Sequence, residues 1–374
     1  MHAIYNLCLA ALTGRQVLAD THYFYAGYFT EALISGIEFD DEANTLTLVD
    51  NFTVSSGTSR WIAADSQLQN LYVAGDGIYQ SYTINSDKSL TLTGANVSDT
   101  TSCTLGVSLA LQNESPGTIF GVAYDAGCSG VAISVDSSGA LVSQIANLTY
   151  DTSAGIHGLA ISPDSQYVYS ADDMGGRVWA HSYDGQTTLN YSSVTELQEL
   201  DGTGARHLVV HPNGNWLYVI FESANEIGVY SRDATTGEVT NTNETYSLLP
   251  DGFSNGTSYW SSDVSVSNSS STSPKYLLAF ARGKDSNTTG WVNGFALDAE
   301  TGAIAERIFV EEANGYGGTT NAVTPSPFSE EYFALTDEGV DFVEVWQITS
   351  NGSSASAVAH LDLDAGPVNV AWYS

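Results

Sequence analysis

The stretch GIHGLAISPDSQYVYSADDMGGRVWAHSYDG (155–185) returns as GARHLVVHPNGNWLYVIFESANEIGVYSRDATTG (204–237). Pro163 and Pro212 lie 49 residues apart, and the apolar runs around them align. Steps of 49 back from Pro163 land on Glu114 and then Asp65. Each landing point opens a turn: DSQLQN (65–70), NESPGT (113–118), PDSQ (163–166), with PNGN (212–215) in the later copy. An aromatic-rich run follows each turn: LYVAG (71–75), IFGVA (119–123), YVYSA (167–171) and LYVIF (217–221). Such β-branched and aromatic runs between turn formers read as short strands. Longer copies follow at 260–283 and 321–352, and helical periodicity is absent. A period near 50 with four strands per unit is the mark of a β-propeller.

Six units start near Trp61, Val107, His157, Arg206, Trp260 and Asn321. The chain ends supply a seventh. THYFYAGYFTEALISGIEFD (21–40) matches the second and third strands of a unit, with no first strand before it. GPVNVAWYS (366–374) reads as a lone first strand. The expectation is therefore an all-β, seven-bladed propeller over residues 20–374, closed by pairing the C-terminal strand with the N-terminal blade. Closure removes an open edge that would otherwise invite another chain.

Composition sets the surroundings. The 374 residues carry 10 basic and 43 acidic side chains, a net charge of −33. That surface repels nucleic acid and anionic membranes, and its first reading is solubility in an acidic medium. Neither is expected as a partner, and no apolar run approaches bilayer length. Residues 1–19 read as a signal peptide, with an apolar centre at Ile4–Leu12 and a cut near Ala19. Asn-X-Ser/Thr triplets start at Asn51, Asn96, Asn113, Asn147, Asn190, Asn243, Asn255, Asn268, Asn287 and Asn351, and agree with secretion and glycosylation. Cys8 leaves with the signal peptide, so Cys103 and Cys128 are expected to form a disulfide. No residue spacing suggests a metal site.

Strand parity gathers chemistry. The start of an innermost strand and the end of a second strand share one face of the disc. His157 and Arg206 start innermost strands; Glu222 and Arg282 end second strands. All four should meet at one mouth of the central channel. Two guanidiniums make an anion site, an imidazole moves protons, and a carboxylate orients either or acts as a base. Each residue also has a structural reading: Arg206 as a bridge to Asp172 or Asp173, His157 as a packed histidine, Glu222 as the partner of Arg206, Arg282 as a surface residue. His207 alternates away from Arg206, His211 reads as a turn residue, and Arg60 opens the unit at Trp61.

The blocks GIHGLAISPDSQYVYSADD, GARHLVVHPNGNWLYVIFE and LLAFARG resemble the seven-bladed lactonase propellers. That family includes propeller-type 6-phosphogluconolactonases and the fungal 3-carboxy-cis,cis-muconate lactonizing enzymes, to which SADDMGGRVWAHSYD and FESANEIGVYSRDATTG are most similar. The resemblance implies His157, Arg206, Glu222 and Arg282 as site residues. It also implies a cofactor-free cycloisomerase or lactonase acting on a small anionic carboxylate or lactone. Two other readings stay open: an extracellular hydrolase or lyase on another acidic sugar or lactone, and a non-catalytic, secreted or wall-associated propeller.

Overall fold

The computed structural model describes residues 20–373 except 68, 99–102, 113–116, 186–188, 197–203, 254–255 and 268–271, with backbone only for 189–196. The expected signal peptide and Asn113, Asn255 and Asn268 lie outside the described residues. Seven four-stranded antiparallel sheets form the seven blades. The innermost strands of the first six are Trp61–Ala64, Gly106–Leu111, Ile156–Ile161, Ala205–Val210, Tyr259–Val266 and Val323–Pro325. The six unit starts read from the sequence match these strands to within two residues.

In the seventh blade Pro367–Trp372 is innermost and pairs with Thr21–Tyr28, which pairs in turn with Leu33–Asp40. The ring closes as expected. Asn369 fastens the joint: Ile62 N donates to its Oδ1 at 3.2 Å, and its Nδ2 donates to Ile62 O at 2.9 Å.

Middle strands alternate little because both their faces are covered. Trp216–Phe221, for example, is buried at every position but the first. Outer strands such as Thr45–Thr53 are polar and exposed. The apolar residues sort into seven large clusters, each spanning two adjacent blades. The core thus lies between blades, which leaves the axis free to carry a channel.

Cys103 and Cys128 are joined in a disulfide, linking the segment before the second blade to a turn within it. Asn51, Asn96, Asn147 and Asn243 sit exposed on the outer strands of four different blades, and Asn190 falls on the outer strand of a fifth. Asn287 and Asn351 are exposed in turns.

Candidate active site

Four consecutive innermost strands carry a bulge near their start. Pairing with the second strand skips Val107, His157 and Arg206 in the second, third and fourth blades, and breaks between Ser261 and Val264 in the fifth. A bulge re-aims the side chains beside it. This corrects one sequence expectation. His207 does not turn away; its ring lies 4.8 Å from that of His157 and stacks at 5.0 Å on Trp61. Gly158 makes this possible. A Cβ there would sit 2.7 Å from Arg206 O and 2.8 Å from His207 Cα, so no side chain fits.

The second strands supply the other half. Tyr124, Asp173 and Glu222 follow the second strands of three consecutive blades, 49 residues apart each time. Their amides donate to equivalent carbonyls, those of Leu105 (2.8 Å), Gly155 (2.9 Å) and Gly204 (2.7 Å). Arg282, opposite Trp260 in the next blade, holds the same register. Period and parity therefore deliver all four to one mouth.

There the side chains interlock. Glu222 Oε1 accepts from Arg282 Nη2 at 2.6 Å and forms an ion pair with Arg206 Nε at 3.2 Å. Arg206 also donates to Ser262 O at 2.7 Å and, more weakly, to Thr320 Oγ1 at 3.3 Å. Arg282 donates to Thr319 O and lies 4.5 Å over the Trp260 ring. The structure brings Arg206, Glu222 and Arg282 into direct contact. The bridge from Arg206 runs to Glu222, while Asp172 caps a turn and accepts from Gly155 N, Gly175 N and Trp179 Nε1. Arg282 is fully buried rather than on the surface. Buried and spent on Glu222, its guanidinium serves to hold that carboxylate in place.

His157 is half-buried, with the Tyr124 ring 5.1 Å away and its buried Nδ1 without a hydrogen-bond partner among the described residues. Burial, then the charge of Arg206, holds His157 well below the ordinary histidine range. His207 is lowered in the same way by burial and both arginines. Burial and the nearby Arg206 push Arg282 down to about 9. Near neutrality the mouth therefore presents neutral imidazoles beside a cationic pair that shares one carboxylate.

His211 is a turn residue, as read: Asn213 N donates to its Nδ1 at 3.1 Å. Arg60 pairs with Asp76 at 2.5 Å, apart from the cluster. A channel of about 620 Å³ runs along the axis, lined by His207, Leu159, Val264, Val370 and Asp263 among others. Burial raises Asp263 to about 7, while Val264 N and Val323 N donate to its carboxyl at 2.9 and 3.1 Å. Among the described residues no group of three or more His, Cys, Asp or Glu could hold a metal ion.

Sequence reasoning missed Tyr124 as a site residue. Its signal was present, since it lies one period before Asp173 and two before Glu222. Trp260, Ser262 and Thr320 carried no such signal, because the copies have loosened there.

The chain is 25% identical over 371 residues to the carboxy-cis,cis-muconate cyclase of Neurospora crassa, an alignment covering 94% of this chain and 99% of the relative. It is 26% identical over 148 residues to the 6-phosphogluconolactonase of Pectobacterium atrosepticum, covering 40% of this chain and 43% of that one. In fold it is similar to the periplasmic gluconolactonase of Pseudomonas aeruginosa, with a TM-score of 0.80 at 16% identity, over 95% of this chain and 99% of that one. The family model for the 7-bladed β-propeller lactonases matches residues 23–316. The chain belongs to the seven-bladed β-propeller lactonase family.

Proposed function

We propose that this protein forms or opens the γ-lactone of a small polycarboxylate without a cofactor. One observation carries the reading: two guanidiniums share a single carboxylate beside an imidazole held neutral. Two guanidiniums that share one carboxylate favour an anion at this mouth. The 3.3 Å bond from Arg206 to Thr320 is the weakest Arg206 makes, and a substrate carboxylate would replace it.

In the closing direction a substrate carboxylate oxygen adds to a conjugated double bond. Charge then develops on the remaining conjugated carboxylate. Arg206, braced through Glu222 by Arg282, stabilises that charge from a fixed position. The enolate carbon then takes one proton from solvent, relayed through His157, which is neutral before and after the step. In the opening direction the same charge field polarises the lactone carbonyl, and His157 takes a proton from water.

A second reading is hydrolysis of a sugar lactone, which the similarity to 6-phosphogluconolactonase favours. Purified protein mixed with 3-carboxy-cis,cis-muconate should abolish the ultraviolet band of the conjugated diene. A lactone panel followed with a pH indicator tests the sugar alternative. Silence in both assays would overturn the enzymatic reading and leave a binding propeller.

A further inference from the structure

We propose that Asp173, with Tyr124 set against it, is a further catalytic acid of this site, supplying the proton taken by the ring oxygen when a lactone opens. The assignment rests on the lactone reading above. Asp173 stands one period before Glu222 and occupies its position in the preceding blade. The two carboxylates are treated differently. Both guanidiniums go to Glu222, and among the described residues no ion pair reaches Asp173.

Instead the Tyr124 hydroxyl donates to Asp173 Oδ2 at 2.6 Å, and the same tyrosine ring packs against His157. The other oxygen is given room. Gly204, at φ +66°, lies beside it, and a Cβ there would come within 2.4 Å of Oδ1. Oδ1 has no hydrogen-bond partner among the described residues, so it is the oxygen left to carry a proton.

The groups facing Asp173 are Tyr124 from the second blade, Asp172 from its own blade, Glu222 and Arg206 from the fourth, and Arg282 from the fifth. Burial first, then the charge of Glu222, raises its carboxyl above the ordinary range; the Tyr124 bond and Arg206 oppose this. His157 is displaced the other way. A pair of groups pushed apart in this manner divides into an acid and a base.

The step balances. Water oxygen bonds to the lactone carbonyl carbon while His157 Nε2 takes its proton, and the carbonyl π pair moves to oxygen. As that pair returns, the ring carbon–oxygen bond breaks with its electrons on the ring oxygen, which takes the Asp173 proton. The proton on His157 then restores Asp173 through solvent, and the net change is the addition of one water.

The test is the pH dependence of kcat for opening of isocitric lactone, a γ-lactone bearing carboxylates. Asp173 must be protonated, so its titration sets the alkaline limb. D173N should lower kcat by about 10²- to 10⁴-fold and abolish that limb. Y124F removes a bond that lowers the Asp173 pKa, so the limb should move to higher pH with a smaller loss of rate. A merely structural pair would lose rate with the limb in place, and that result overturns the assignment. Should D173N fail to fold, the direction of the Y124F shift decides alone. A wild-type protein inert toward every lactone overturns the lactone reading and this step together. An active wild type whose D173N variant keeps the limb overturns Asp173 only.

Discussion

Glu222 is the residue on which the mouth depends, because two buried cations face each other across it. Replacing it with alanine leaves both uncompensated, and breaking a buried pair in this way costs about 3–5 kcal/mol. E222A should therefore unfold at markedly lower urea than wild type, with E222Q between them. Equal midpoints would show that the arginines find other partners. The histidines make stability depend on pH. An unfolded histidine titrates near 6.5. Folded His157 and His207 are held neutral well below that value, so the unfolded chain binds protons that the native state refuses. Stability should fall as pH drops through about 6.5. His207→Gln removes one of the two, and its stability should decline less steeply between about pH 7 and pH 5 in thermal melts at matched ionic strength.

At the level of the strand, the bulge decides which side chains reach the site. The repeat shows that His157 and Arg206 are equivalent, and simple alternation then sends His207 to the other side. An extra residue in the innermost strand defeats that parity. The extra residue cannot be recognised in one sequence, since both neighbouring strands read as ordinary β-branched runs. Gly158 is its clearest trace, because any Cβ would meet the backbone of the next blade. Gly158→Ala should cost about 1–3 kcal/mol, as overpacking does. It should also weaken the His157–His207 contact, visible as a displaced imidazole resonance. An unchanged urea midpoint would mean that the fourth blade slides aside.

For the whole molecule, closure is a matter of two hydrogen bonds and one strand. Asn369→Leu keeps the volume but strands the amide and carbonyl of Ile62, for about 2 kcal/mol of lost stability. Calorimetry would register this as a lowered, still single transition; two transitions would mean that the blade detaches on its own. The outer rim raises a different problem. Each outer strand exposes an unpaired edge, and apolar Leu48, Val49, Leu92 and Val142 are exposed on three of them. We propose that the protein is secreted and that glycans on Asn51, Asn96, Asn147, Asn190 and Asn243 cover this rim. Enzymatic deglycosylation of material from the native host should reduce its mass and promote association. A mass equal to that of the bare chain would refute the proposal.

The blade count, the closure through the chain ends and the meeting of His157, Arg206, Glu222 and Arg282 were legible in the sequence. All of them depend on period and strand parity, which repeat copies display directly. The choice among their partners was not. The sequence offered Arg206 either Asp172 or Asp173, or else Glu222, and the fold selects Glu222, while Arg282 gives up its solvent face to support them. Those choices depend on where a bulge rotates a side chain and on which blade edge lies nearest. Distances between neighbouring blades set both, and spacing along the chain carries no record of them.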